Sequence, residues 1–148
     1  MEERLLLAAI VIVLAVVAAR LLERRRPDPP ARDAYPVPAQ LDRSDFPRPD
    51  APWIVVLFSS RTCDSCGPMA EKVAGFESDT VATCDVEVTA DRELHRRYRI
   101  EGVPTVVVAD AGGVVRAGFV GSVSSSDLAG ALAQAQACPG HGPGPGPG

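Results

Sequence analysis

Cys63 and Cys66, in the run Thr62-Cys63-Asp64-Ser65-Cys66-Gly67-Pro68, are the residues of this chain whose type and spacing carry chemistry by themselves. A thiolate attacks disulfides and binds soft metals. A second sulfur within one helical turn can displace the first from a mixed disulfide or complete a metal pair. Which of these occurs depends on what holds the pair. A helix amino terminus leaves N–H groups unpaired and carries the positive end of the helix dipole, so a thiol placed there falls below its free pKa of about 8.5. Cys63 is the expected nucleophile and Cys66, inside the first turn, the expected resolving thiol.

The flanking sequence supplies such a place. Trp53-Ile54-Val55-Val56-Leu57-Phe58 is a short unbroken apolar run, as expected for a strand covered on both faces, and Ser65 to Phe76 fits a helix with Met69, Val73 and Phe76 on one side. Val81 to Val88 alternates as a second strand. Asp91 to Tyr98 reads as a short helix capped near Thr89 or Asp91, with Leu94 and Tyr98 facing inward and His95, Arg96 and Arg97 toward water. Thr105 to Ala109 and Val114 to Phe119 form a hairpin about Ala111-Gly112-Gly113, and a last helix runs from about Ser124 to Ala137 with Leu128, Leu132 and Ala135 inward. The order is strand, helix, strand, helix, strand, strand, helix.

With the cysteines at the junction of the first strand and helix, the segments F-S-S-R-T-C-D-S-C-G-P-M, R-R-Y-R-I-E-G-V-P-T-V-V-V and F-V-G resemble, in order, those of the thioredoxin superfamily. The resemblance covers about residues 53 to 137. It implies an α/β thioredoxin-like fold, a central mixed four-stranded sheet flanked by helices, and thiol–disulfide oxidoreductase activity through a redox-active Cys63–Cys66 disulfide without another cofactor. It also implies a cis bond before Pro104, with Val103, Pro104 and Thr105 meeting a substrate strand and Gly121 near the same surface. Thr62, Asp64 and Ser65 border the sulfurs. Three positions depart from the family pattern: Thr62 replaces a tryptophan, Asp64-Ser65 replaces Gly-Pro, and Leu57 stands where many members bury an aspartate that aids proton transfer. An acidic Asp64 opposes thiolate formation, so no strongly oxidising potential is expected. Water or Glu101 would serve as general base.

The ends of the chain have a different character. Leu5 to Leu22 is an eighteen-residue apolar stretch whose one charge is Arg20, long enough at about 1.5 Å per residue to cross most of a bilayer core. Met1-Glu2-Glu3-Arg4 lacks the basic start of a cleaved signal, so residues 1–26 are expected to be an uncleaved single-pass anchor. Arg20, Arg24, Arg25 and Arg26 place the carboxyl-terminal side in the cytoplasm, although related tethered domains also lie outside. Residues 27–52 are proline-dense and read as a semi-rigid stalk, within which Val37–Leu41 and Asp45-Phe46 can pack on the domain edge and move its boundary ahead of Pro52. Residues 138–148 are a Gly/Pro tail expected to be disordered. The organisation is thus anchor, stalk, domain at 53–137 and tail.

A chain of 148 residues with 46% hydrophobic and 23% charged residues has room for one small domain. Its formal charge of −4 gives no reason to attract nucleic acid. The expected partners are protein thiols and disulfides, an unidentified electron donor and the membrane, with the chain a monomer. A soft-metal module binding copper or zinc is the rival from another class, because T-C-x-x-C at a helix start also suits Cu(I) or Zn(II). A structural zinc site would need Cys84, Cys138 and His141 to converge on the pair. A third reading keeps the fold as a catalytically weak binding domain. Cys84 is expected as an apolar filler, and His95 and His141 as solvated side chains.

Overall fold

The computed structural model describes residues 36–137, which belong to one compact unit (Ala34–Gly148), together with Val13 and Ala15, both helical. Apart from those two positions the Leu5–Leu22 stretch lies outside the described residues, as does the tail from Cys138. Among the described residues no helix is long and apolar enough to cross a membrane.

Strand β1 (Trp53–Ser59) has two strand neighbours. It pairs in parallel with β2 (Val81–Glu87), Leu57 beside Asp85, and antiparallel with β3 (Thr105–Asp110), Phe58 beside Thr105. β4 (Val115–Val120) returns along β3 through the expected hairpin, giving the mixed order β2-β1-β3-β4. Six consecutive β1 residues, Ile54 through Ser59, are buried, because alternate side chains enter two different cores.

On one face Val55, Leu57, Val106 and Val108 pack against Met69 and Val73 of helix α1 (Cys66–Ala74) and Leu128 and Leu132 of α3 (Ser125–Ala137). On the other, Ile54, Val56, Phe58 and Val107 meet Tyr98, which caps α2 (Arg92–Arg97), with Leu94 packed against the cluster. α1 is shorter than the apolar spacing predicts. Ser65 precedes it without a side-chain capping bond, and Phe76 follows it in a turn closed by its N–H to Val73 O.

Two polar side chains depart from expectation. His95 is buried rather than solvated: its Nε2 lies 2.8 Å from Val86 O and its ring meets Phe58 edge-on at 5.4 Å. Arg43, from the proline-dense stretch, is 7% exposed, and its guanidinium donates to the carbonyls of Ala51, Asp110 and Arg48. Residues 37–51, placed in the stalk by composition, therefore pack into this body, and the packed chain begins ahead of Trp53. Leu41 and Phe46 enter the α2-side core, where a fully buried apolar side chain contributes about 1.5–3 kcal/mol. Tyr98 Oη donates to Asp45 and accepts the Asp42 N–H, which ties this segment to α2.

The segment also lies along the edge of β4. Leu41 N donates to Gly113 O and Val115 N to Ala39 O, at 2.7 and 3.0 Å. Gly113 has φ +77°, and a Cβ there would stand 2.0 Å from Leu41 O, so position 113 demands glycine twice over. At Gly118 a Cβ would stand 2.3 Å from Val37 Cγ1. Gly118→Ala is therefore expected to lower stability in urea unfolding by about 1–3 kcal/mol, with Val37→Ala in the same chain restoring most of the loss. A fully stable G118A chain would show that Val37 does not bear on this edge.

Candidate active site

β1 ends at Ser59, and the chain leaves the sheet through Ser60-Arg61-Thr62 before entering α1. Cys63 N donates to Ser60 O and Cys66 N to Cys63 O, so the turn is wound tightly enough to bring the two sulfurs together. They form a disulfide with Cα atoms 5.4 Å apart. The pair is asymmetric. Cys66 is 3% exposed inside the first turn of α1, whereas Cys63 is half-buried, so the sulfur open to a partner is that of Cys63. Pro68 lies in the same turn, where a helix N–H has no intrahelical acceptor to lose. Ser65 Oγ lies 3.5 Å from Cys63 Sγ, while Thr62 and Asp64 are exposed.

The Val103–Pro104 bond is cis. Sheet register brings this bond to the same end of the sheet as the cysteines, since Thr105 pairs with Phe58 near the end of β1 and with Val120 at the end of β4. Gly121, at φ +92°, donates its N–H to Pro104 O at 2.8 Å. Pro104 and Thr105 are buried and Val103 and Gly121 half-buried. Glu101 is exposed.

Leu57 is fully buried in the α1-side core. The nearest carboxylate in register belongs to Asp85 on β2, where it accepts a hydrogen bond from buried Ser59 Oγ at 2.6 Å. Sequence reasoning missed this pair, and it missed Glu87. The Glu87 carboxylate accepts the N–H groups of Arg61 (3.2 Å), Thr89 (3.0 Å) and Ala90 (3.1 Å), and lies 3.7 Å from the Arg61 guanidinium. Burial pushes its carboxyl pKa up, but the donors of Arg61, Ala90 and Thr89 more than offset this and leave it below the ordinary value of 4.5. A carboxyl lowered in the fold stabilises it above that value and loses the contribution as pH falls. Only the strand register, which puts residue 87 beside Ser59, could have pointed to it.

Cys84 is half-buried in β2 on the α2 side. Burial, with smaller effects from Asp85 and Asp91, pushes its thiol up to about 11. It is a free thiol. Cys138 and His141 lie outside the described residues, and among those described no group of three or more His, Cys, Asp or Glu side chains is arranged to hold a metal ion.

A vicinal pair that has closed to a disulfide, with one sulfur accessible and one buried at a helix start, supports thiol–disulfide chemistry. The fold is similar to those of known structures. A thioredoxin variant from Halobacterium salinarum NRC-1 superposes with a TM-score of 0.52 at 22% identity, covering 57% of this chain and 75% of its own. The germline-specific thioredoxin Deadhead from Drosophila melanogaster gives 0.51 at 25%, covering 58% and 83%. A malarial protein gives 0.51 at 19%, covering 56% and 96%. No curated protein sequence matches. The sequence profile described as "Thioredoxin-like domain" matches residues 40–136, more than half of the chain and including the segment ahead of β1. The chain belongs to the thioredoxin-like domain family.

Proposed function

We propose that this protein is a membrane-anchored thiol–disulfide oxidoreductase that reduces disulfides of protein substrates. The observation that carries the reading is the Cys63–Cys66 disulfide with Cys63 alone accessible. In the reduced protein the Cys63 thiolate attacks one sulfur of a substrate disulfide, forming a mixed disulfide and releasing the other substrate sulfur as a thiolate. The Cys66 sulfur then attacks Cys63 Sγ, its proton passing to the departing substrate thiolate. The second substrate thiolate departs, two electrons have moved to the substrate, and the Cys63–Cys66 disulfide returns. An electron donor, itself a dithiol or its equivalent, resets the pair. Val103, Pro104 and Thr105 would receive the extended substrate backbone beside the sulfurs, with Gly121 at the border.

The apolar Leu5–Leu22 stretch supports attachment to a membrane, and the arginines that follow it favour a cytoplasmic face for a monomeric domain. Protease accessibility of the domain in sealed vesicles tests this. Protection in right-side-out vesicles supports the cytoplasmic side, and digestion there would overturn it.

Insulin reduction in the presence of a dithiol donor tests the chemistry. Cys63→Ser should abolish turnover, whereas Cys66→Ser should leave a chain that accumulates mixed disulfides visible on non-reducing gels. Stoichiometric Cu(I) or Zn(II) binding by a wild-type chain that reduces no insulin would replace this reading with a metal-binding one.

Alkylation of the reduced protein makes a separate prediction. At pH 8 a thiol with a pKa near 11 is about one part in 10³ thiolate, so iodoacetamide should label Cys84 at least about 10²-fold more slowly than Cys63. Equal labelling of both by peptide mass spectrometry would contradict the burial of Cys84.

A further inference from the structure

We propose that Glu87 is the positioning residue of the cysteine pair: its one carboxylate fixes the loop that presents Cys63 by binding it to the loop that follows β2. Where the sheet ends, backbone groups need partners other than a neighbouring strand. β1 and β2 run parallel and stop together, Ser59 beside Glu87, so both chains leave the sheet at one level. Ser59 O still accepts the Val88 N–H at 3.0 Å, the last backbone bond between the two. Beyond it no ladder remains, and the Glu87 side chain takes over. Oε1 accepts from Arg61 N on the departing β1 chain, and Oε2 accepts from Thr89 N and Ala90 N on the departing β2 chain.

Three backbone donors converge on one carboxylate whose side chain is only 16% exposed. Arg61 is two residues from Cys63, and across it Ser60 Oγ accepts the Thr62 N–H and meets Thr62 Oγ1 at 3.0 Å. Ser60 O receives the Cys63 N–H itself. Fixing Arg61 therefore fixes the frame from which Cys63 is held, through a continuous series of short-range bonds. Without this anchor Ser60–Thr62 keeps its internal bonds but can swing as a unit about the end of β1. The helix amino terminus would remain, yet the placement of Cys63 Sγ against it, and against an incoming sulfur, would not. Charged acceptors make the stronger hydrogen bonds, which suits a carboxylate here better than an amide.

This inference rests on the exchange reading for its consequence in turnover, but the reactivity of Cys63 can be measured without turnover. The experiment compares the full-length chain with Glu87→Gln and Glu87→Ala. It reads the pH profile of iodoacetamide labelling at Cys63 by peptide mass spectrometry, the Cys63–Cys66 reduction potential against glutathione, and kcat and KM for insulin. Glu87→Gln keeps one acceptor oxygen and turns its other end into a donor facing donors, so it can hold one loop but not both.

The expected result is graded. Cys63 labelling at pH 7 and kcat fall roughly tenfold in E87A and by a smaller factor in E87Q, with KM little changed, short of the about 10²-fold that a 1 Å misplacement can cost. Two variants that lose thermal stability but keep the wild-type labelling profile and potential would overturn the proposal, leaving Glu87 a structural residue only. So would a wild-type profile in E87Q if E87A fails to fold. A wild-type chain that labels as expected yet reduces no insulin would instead count against the exchange reading, while a loss of Cys63 labelling in the variants would still support Glu87.

Discussion

β1 can be both the most buried strand and the support of a reactive pair because its backbone is hydrogen-bonded along both edges. With β2 on one side and β3 on the other, its polar groups are satisfied inside the sheet, and its side chains are free to be apolar on both faces. That same arrangement fixes where chemistry can occur. The ladder stops at Ser59, and within the next seven residues the chain must leave the sheet, turn and start α1 over the face it has just built. The positive end of the α1 dipole at that point is what suits it to a sulfur anion.

The segment ahead of β1 completes the fold on the opposite side. The α2 side is covered by a six-residue helix, too little to shield Ile54, Val56, Phe58 and Val107. Leu41 and Phe46 supply the missing apolar cover, and Arg43 closes the gap from within by donating to three carbonyls, including that of Asp110 at the end of β3. Asp110 in turn holds the hairpin, accepting the N–H groups of Gly112 and Val114 and both donors of the Arg116 guanidinium edge. The edge of β4 is thereby engaged near its start, at Gly113 and Val115, while Val120 at its other end is exposed toward the cis-proline end of the sheet.

The strands and the outer helices were legible because hydrophobic period and turn residues agree there: Leu128, Leu132 and Ala135 are spaced and buried as one face. His95 and Arg43 were not. In six residues of helix a periodic pattern has little room to repeat, and an imidazole whose ring packs on Phe58 while its nitrogen meets Val86 O looks identical in sequence to one facing water. Arg43 sits among prolines and acids, a composition that signals a stalk, and what buries it is a set of carbonyls up to 67 residues away. The candidate site divides the same way. Cys63 and Cys66 announce themselves by spacing. Glu87 acts through backbone donors on two loops, and backbone donors leave no trace in residue identity.

Cys84 and the cysteine pair show how completely surroundings, rather than residue type, decide reactivity in this chain. A thiol on β2, half-buried with Asp85 and Asp91 nearby, is held in its neutral form, whereas Cys63 stands just ahead of α1, at the positive end of the helix dipole. The carboxylates divide in a similar way. No acid lies under the pair on β1, where Leu57 is packed dry; the acids stand one strand over, Asp85 accepting from Ser59 and Glu87 from three backbone amides. Both are engaged in holding the end of the sheet. Glu87, occupied in this way and held below its ordinary pKa, is a poor proton acceptor, because protonating it would weaken the bonds that hold the loop. Cys63, by contrast, is accessible to water. Proton exchange through solvent at the accessible sulfur, with the acids reserved for geometry, is the division of labour this arrangement favours.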